Sequence, residues 1–257
     1  MEFTLTALLV AAGLFAAVLL FLEIGRRIGT RRLQQGADDT GSSGAGVVEG
    51  AVFALLGLLI AFTFSGAATR LDERRNLIVD EANAIGTAYL RVDLLPSAAQ
   101  NEMRDRFRRY LDARLDVYRA LPDLEKAKGQ LARASGMQQE IWERAVADSV
   151  ESQPARMLLL PALNEMFDIT TTRTMAAQTH PPPVVFGLLL LFALFAALLA
   201  GSAMAGAKSR HWLHAVTFAF ALAGSVYVII DMEYPRVGLI RVDAFDQVLV
   251  DLRQSMK

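Results

Sequence analysis

Residues 47–68 form a largely apolar run whose only charge is Glu49, and they continue with no Gly or Pro at the junction into Thr69-Arg70-Leu71-Asp72-Glu73-Arg74-Arg75. About 20 helical residues cross a bilayer core, so the run is long enough to span a membrane. With no breaker at its end, the same helix is expected to emerge into water as a charged, amphipathic rod. A span that serves only packing has no need of such an extension.

The chain is 53% apolar and 21% charged. The two figures are compatible because the apolar residues are segregated. Four windows, roughly 3–22, 47–68, 184–206 and 213–230, are nearly free of charge over a bilayer thickness. The first has no basic segment before it and is followed by Arg26 and Arg27, so it reads as a retained span rather than a signal peptide. Net charge is −1, which offers no global electrostatic case for nucleic acid. The absence of cysteine excludes disulfides, iron–sulfur clusters and thiolate zinc sites.

Between the second and third windows lies a polar block that reads as helices broken at prolines. Leu71, Ile78, Ala82, Ile85, Tyr89 and Val92 form one helical stripe. Pro96 stops it, and Ser97 with Gln100 has the spacing of a capping box. Met103, Phe107, Tyr110, Leu111, Leu115 and Tyr118 mark the next helix, ended by Pro122. Two further helical patterns cover 123–149 and 156–178. Strand-like alternation is absent. The expected fold is an all-α membrane protein with four transmembrane helices plus a helical, cytoplasmic domain.

The expected organisation has spans 1 and 2 in residues 1–68, with a Gly/Ser-rich loop at 36–46, and the helical domain in 69–180. A hairpin of spans 3 and 4 follows in 181–232, and 233–257 is a turn and helix docking on the helical domain. His180-Pro181-Pro182-Pro183 sets the re-entry into the bilayer. An even number of spans puts both termini and the helical domain on one face. Basic residues near the membrane ends are almost balanced between the faces, with a slight excess favouring a cytoplasmic domain.

Catalytic motifs are missing: there is no Walker loop, no His-Glu-x-x-His and no nucleophile elbow. His180, His211 and His214 sit at span ends, where an interfacial role is the plain reading. Asp80 and Glu81 read as a solvated pair on a charged helix face. No enzyme activity, cofactor or metal is expected. The acids Asp231, Glu233, Asp243, Asp246 and Asp251 could ligate Ca²⁺ through oxygen, but their spacing is not that of an EF-hand. A turn and a docking helix is the preferred reading there.

Ala54, Leu58, Phe62 and Ser65 share one face of span 2. Copies arranged about an axis would make an apolar neck of Leu58 and Phe62, able to gate by dewetting. Ser65 and Thr69 would line the pore below it. Arg70, Asp72, Glu73 and Arg74 would then supply charge in a vestibule. Both signs are present, so ion sign is unreadable at this level. Ser65-Gly66-Ala67-Ala68 equally suits close helix packing, and the charges equally suit ion pairs that solubilise a helix.

Three segments together resemble a known family. The first is Ala61-Phe62-Thr63-Phe64-Ser65-Gly66-Ala67-Ala68-Thr69-Arg70 with Leu77-Ile78-Val79-Asp80-Glu81-Ala82-Asn83-Ala84-Ile85-Gly86-Thr87-Ala88-Tyr89-Leu90-Arg91. The second is Leu163-Asn164-Glu165-Met166 with Thr172-Arg173. The third is Asp231, Glu233, Pro235 and Gly238, then Val242-Asp243 and Phe245-Asp246. Over nearly its whole length the chain is similar to the bestrophin-like family of bacterial membrane proteins, itself distantly similar to the bestrophin ion channels. The resemblance implies a homopentamer around one central pore lined by span 2, in the bacterial inner (plasma) membrane. Its partners would be copies of itself, membrane lipid and small inorganic ions. The neck positions would be Leu58 and Phe62, with Ala54 a turn above, where bestrophins favour a large apolar residue. Arg236 and Val237 to Ile240 stand where animal bestrophins carry a dense acidic calcium clasp, so calcium gating is not expected. The alternative is a non-conducting membrane scaffold or sensor whose helical domain binds partners.

Overall fold

The computed structural model describes residues 2–35, 42–206 and 212–256. Among them the secondary structure is helix and turn, with no strand. The elements are α1 (Glu2–Gln34), α2 (Ser42–Leu90), α3 (Ser97–Arg119), α4 (Leu124–Asp148), α5 (Gln153–Gln178), α6 (Pro183–Ala203), α7 (Trp212–Glu233) and α8 (Gln247–Ser255). Four helical segments are long and apolar enough to cross a membrane, their apolar windows lying in α1, α2, α6 and α7. The protein is an all-α membrane protein. It divides into two compact units, Met1–Thr69 with His180–Tyr234, and Arg70–Thr179 with Pro235–Lys257.

Helix α2 runs for 49 residues through both units without interruption, as the lack of a breaker after Ala68 requires. It starts earlier than composition suggests. Ser42 to Gly46 belong to the helix rather than to a loop, because extending a helix by a residue costs far less than starting one. Residues 36–41, the rest of that stretch, lie outside the described residues, as do 207–211 between α6 and α7. His211, Lys208 and Arg210 fall among the latter. Helix α1 also outruns its apolar window. Arg26 Nε and Arg27 Nε each donate to Glu23 at 2.9 Å, pairs one turn apart that support the polar end of the helix.

In the first unit α1 and α6 cross at backbone contact. A Cβ on Gly25 would lie 1.9 Å from the Leu198 carbonyl oxygen, and one on Gly201 would lie 2.0 Å from that of Leu22. Such crossings replace the hydrophobic drive that lipid does not supply between helices. Leu14 and Val18 of α1, Leu189, Ala196 and Ala197 of α6, and Ala219 of α7 fill the core around them. Pro183 is the first residue of α6, where its missing N–H is no loss. Span α2 differs from its neighbours. Only 6% of its most apolar window is buried, against 22% to 28% for the other three. Its attachments are Leu56, Ala67 and the edge of Phe53 on Phe218, 6.2 Å between ring centres.

The second unit packs α2, α3, α4, α5 and α8 around Ile78, Ile85, Met103, Phe107, Leu111, Ile141, Leu159, Leu163, Met166 and Leu249. Asp123 caps α4 by accepting from the Lys126 N–H at 3.0 Å. Ser152 caps α5, accepting from the Ala155 N–H at 3.3 Å. The capping box expected at Ser97 does not form. Pro96 holds the N-cap position and makes no side-chain cap. Gln100 instead donates its amide N–H to the Leu95 carbonyl at 2.8 Å and to that of Asp93 at 3.1 Å. It thereby ties the start of α3 to the turn that ends α2.

Candidate functional site

At 3.6 residues per turn, α2 presents two opposite faces. Ala54, Leu58, Phe62, Ser65, Thr69, Asp72, Asn76, Asp80, Asn83 and Leu90 lie on one, and all are exposed. Leu58 keeps 51% and Phe62 67% of its surface. Leu71, Arg74, Ile78, Glu81, Ile85 and Ala88 lie on the other face, and all are buried.

This geometry sorts the vestibule candidates. Asp72 and Glu73 are exposed. Arg75 donates to Asp72 at 3.0 Å while its guanidinium lies 5.3 Å from the Phe245 ring centre. Arg74, unlike Asp72 and Glu73, sits on the buried face. Its Nε donates to the Ala176 carbonyl at 3.1 Å and its Nη2 to that of Thr179 at 2.9 Å, so it closes the carbonyl end of α5 in the manner of a C-terminal basic residue. Arg70 is half-buried. It lines, with Glu73, Arg74, Thr172 and Met175, an open cleft of about 390 Å³.

Behind the exposed face lies a charged core that reading the sequence missed. Glu81 is fully buried, not solvated beside Asp80. Arg114 Nε donates to its Oε1 at 2.5 Å, and Arg173 Nη1 donates to Oε2. The Tyr118 hydroxyl donates to Oε2 at 3.2 Å and accepts from Arg114 Nη2. Three guanidiniums surround the Tyr118 ring, those of Arg173 at 4.2 Å, Arg236 at 4.7 Å and Arg114 at 5.3 Å. Each is drawn to the electron-rich face of the ring. Arg236 also donates to Asp246 at 2.9 Å and to Asp243 at 3.3 Å. Arg173 lies 3.9 Å from Asp246. Three cations, Arg114, Arg173 and Arg236, thus meet three carboxylates, Glu81 of α2 and Asp243 and Asp246 of the 3₁₀ turn Asp243–Asp246 that precedes α8.

Burial alone would raise the Glu81 pKa. The charges of Arg114 and Arg173 and their hydrogen bonds outweigh it and hold the carboxyl below the usual glutamate range. Burial and the adjacent Glu81 push the Tyr118 hydroxyl well above its ordinary value, against the pull of the arginines, so it stays a donor. The acids considered for Ca²⁺ at 243 and 246 therefore face a cation of the chain's own, Arg236. Among the described residues no group of three or more His, Asp or Glu is placed to hold a metal. His180 stacks on Tyr234 with ring centres 4.5 Å apart, its Nδ1 3.5 Å from Glu233. His214 is exposed on α7.

A sequence signal for the network did exist. Glu81 falls between Ile78 and Ile85, and Arg74 between Leu71 and Ile78, on the apolar stripe itself. A charged residue in register with buried neighbours implies a buried partner.

The three segments singled out for their resemblance converge here, supplying Glu81, Arg173 and Asp246. The family model for the bestrophin-like domain matches residues 8–244, and the chain belongs to that family. Solved structures of a bacterial bestrophin homologue from Klebsiella pneumoniae share the fold. One point variant superposes with a TM-score of 0.67 at 15% identity, covering 96% of this chain and 98% of the other. A second variant gives 0.65 at 14%, covering 93% and 98%. A structure of the homologue phased by zinc gives 0.63 at 15%, covering 92% and 97%. No curated protein matches the chain.

Proposed function

We propose that the chain is one subunit of an oligomeric ion channel, with α2 of each copy lining a central pore. The observation that carries this reading is the unpartnered face of α2. Its apolar window is the least buried of the four, and its exposed side changes from Ala54, Leu58 and Phe62 to Ser65 and Thr69 and then to Asp72 and Asn76. That is the order a pathway needs: a dry, gateable neck, then hydroxyls, then a charged vestibule. Membership of a family related to the bestrophin ion channels supports it. On this reading Leu58 and Phe62 form the neck, with Ala54 at its wide end. The assembly is a homopentamer in the inner membrane, with both termini and the second unit in the cytoplasm. The competing reading, a scaffold with no conduction, leaves the same face against lipid or a partner.

Flux of ions into liposomes holding the purified protein separates the two. Conduction by the wild type, with a clear increase in Leu58→Ala or Phe62→Ala, is the expected result. No flux from wild type, or flux indifferent to both substitutions, overturns the proposal.

A further inference from the structure

The second unit holds a cleft that the pore reading does not use. It lies between α4 and α5 and has a volume of about 310 Å³. Ser135, Gln138, Gln139 and Trp142 of α4 line it, with Asn164 and Phe167 of α5, and none of the six is charged. The Gln138 amide is held from behind. Its Nε2 donates to the Tyr110 hydroxyl at 3.0 Å and to the Thr170 hydroxyl at 3.2 Å, and both of those residues are buried. An amide nitrogen has two hydrogens to give. Both are committed, so the side chain cannot turn over, and Oε1 on its other side is an oriented acceptor. Oε1 has no partner among the described residues and is not buried. The Asn164 amide, the Ser135 hydroxyl and the Trp142 indole N–H are also without a partner there. Trp142 and Phe167 are half-buried and meet edge to face, 6.5 Å between ring centres at 65°, an arrangement that leaves ring face uncovered.

We infer that this cleft binds an uncharged heteroaromatic ring, a nucleobase or nucleoside. Gln138 Oε1 accepts an N–H from the ring's polar edge, the Asn164 amide pairs with the same edge, and an aromatic wall stacks on its face. Amide side chains and aromatic faces are the groups that read an unstacked base. The cleft is at the small end of the range for ligand sites, about 300–1,000 Å³, which suits one or two rings. With no Lys or Arg in the lining, a phosphate or carboxylate entering it would lose water and gain no counter-charge. The ligand is therefore the base or nucleoside rather than the nucleotide. The inference is independent of conduction.

The chain has two tryptophans, Trp142 and Trp212, so Trp212→Phe leaves a reporter inside the cleft. The full chain with that substitution, in detergent, is titrated with adenosine, uridine, adenosine monophosphate and the uncharged peptide N-acetyl-triglycine amide, reading Trp142 fluorescence. Asn164→Ala and Gln138→Met are added singly to the same background, with thermal midpoints measured alongside. Asn164 is exposed, so its midpoint should not move, whereas Gln138→Met also removes two donors from buried hydroxyls. The inference expects saturable quenching by adenosine or uridine, no tighter binding of the monophosphate, and affinity about fivefold weaker in Asn164→Ala. Gln138→Met should weaken binding at least as much. No saturable quenching by either nucleoside, tighter binding of the monophosphate, or an affinity unchanged in Asn164→Ala overturns it. Quenching by the peptide alone also overturns it, and assigns the cleft to an extended chain.

Discussion

The two sides of α2 beyond the membrane carry similar letters and meet opposite fates. Asp80 and Glu81 are neighbours in sequence; one is exposed and the other fully buried. A hundred degrees of helix rotation separates a carboxylate in water from one held by two guanidiniums and a phenol. The buried side fixes the helix within its unit. The exposed side is left with nothing from its own chain to cover it. The difference teaches that charge on an amphipathic helix must be read by register before it is read by sign.

The sharpest way to break the comparison is to remove the buried acid. Glu81→Ala leaves Arg114 and Arg173 without their counter-charge in a dry site. We expect a loss of about 3–5 kcal/mol, seen as a large drop of the thermal midpoint in detergent, whereas Asp80→Asn should change stability by less than about 0.5 kcal/mol. Similar losses from both would erase the distinction between the faces.

Acid should reproduce part of the first effect. The folded-state pKa of Glu81 is depressed, so its contribution is fully present above the unfolded glutamate value of about 4.3. It is lost as pH falls from there through the folded value. A melt series across that window should show wild type losing stability toward Glu81→Ala, which itself has lost this component of the pH dependence.

The first unit offers a contrast of another kind, since its helices meet through missing side chains rather than paired charges. Gly201→Leu forces atoms into the Leu22 carbonyl and should cost about 1–3 kcal/mol, read from the same melts. Gly187→Ala on the same helix, where a Cβ meets nothing within 4 Å, should be tolerated. The smallest effect is expected at the surface clamp of α8. Arg253 donates to both Asp112 oxygens, at 2.8 and 3.1 Å, and both side chains are partly in water. Arg253→Ala should cost about 0.2–1 kcal/mol.

Much of the fold is legible in the sequence because its causes are local. Charge-free windows mark the spans, and Pro96, Pro122 and Pro181 to Pro183 punctuate the helices between them. That Ala54, Leu58, Phe62 and Ser65 share one face follows from spacing alone; that the face is left uncovered does not, because the same letters suit close helix packing. Three of the misses share a cause, which is dependence on a partner distant in the chain. Glu81 looks solvated until Arg114 and Arg173, 33 and 92 residues away, are brought to it. Arg74 looks like a vestibule charge until the α5 carbonyls arrive. Gly25 and Gly201 look like ordinary members of apolar helices until their backbones touch. Ser97 fails as a cap because Pro96 already occupies that position.

The claim that the open side of α2 faces water-borne ions is tested most directly by single cysteines, which this cysteine-free chain accepts without background. Ser65 is exposed on the proposed pathway, and Ala67, two residues on, is fully buried. A charged, water-soluble thiol reagent should block ion flux through Ser65→Cys and leave Ala67→Cys conducting. Flux through Ser65→Cys that persists after complete modification of the thiol would contradict the account.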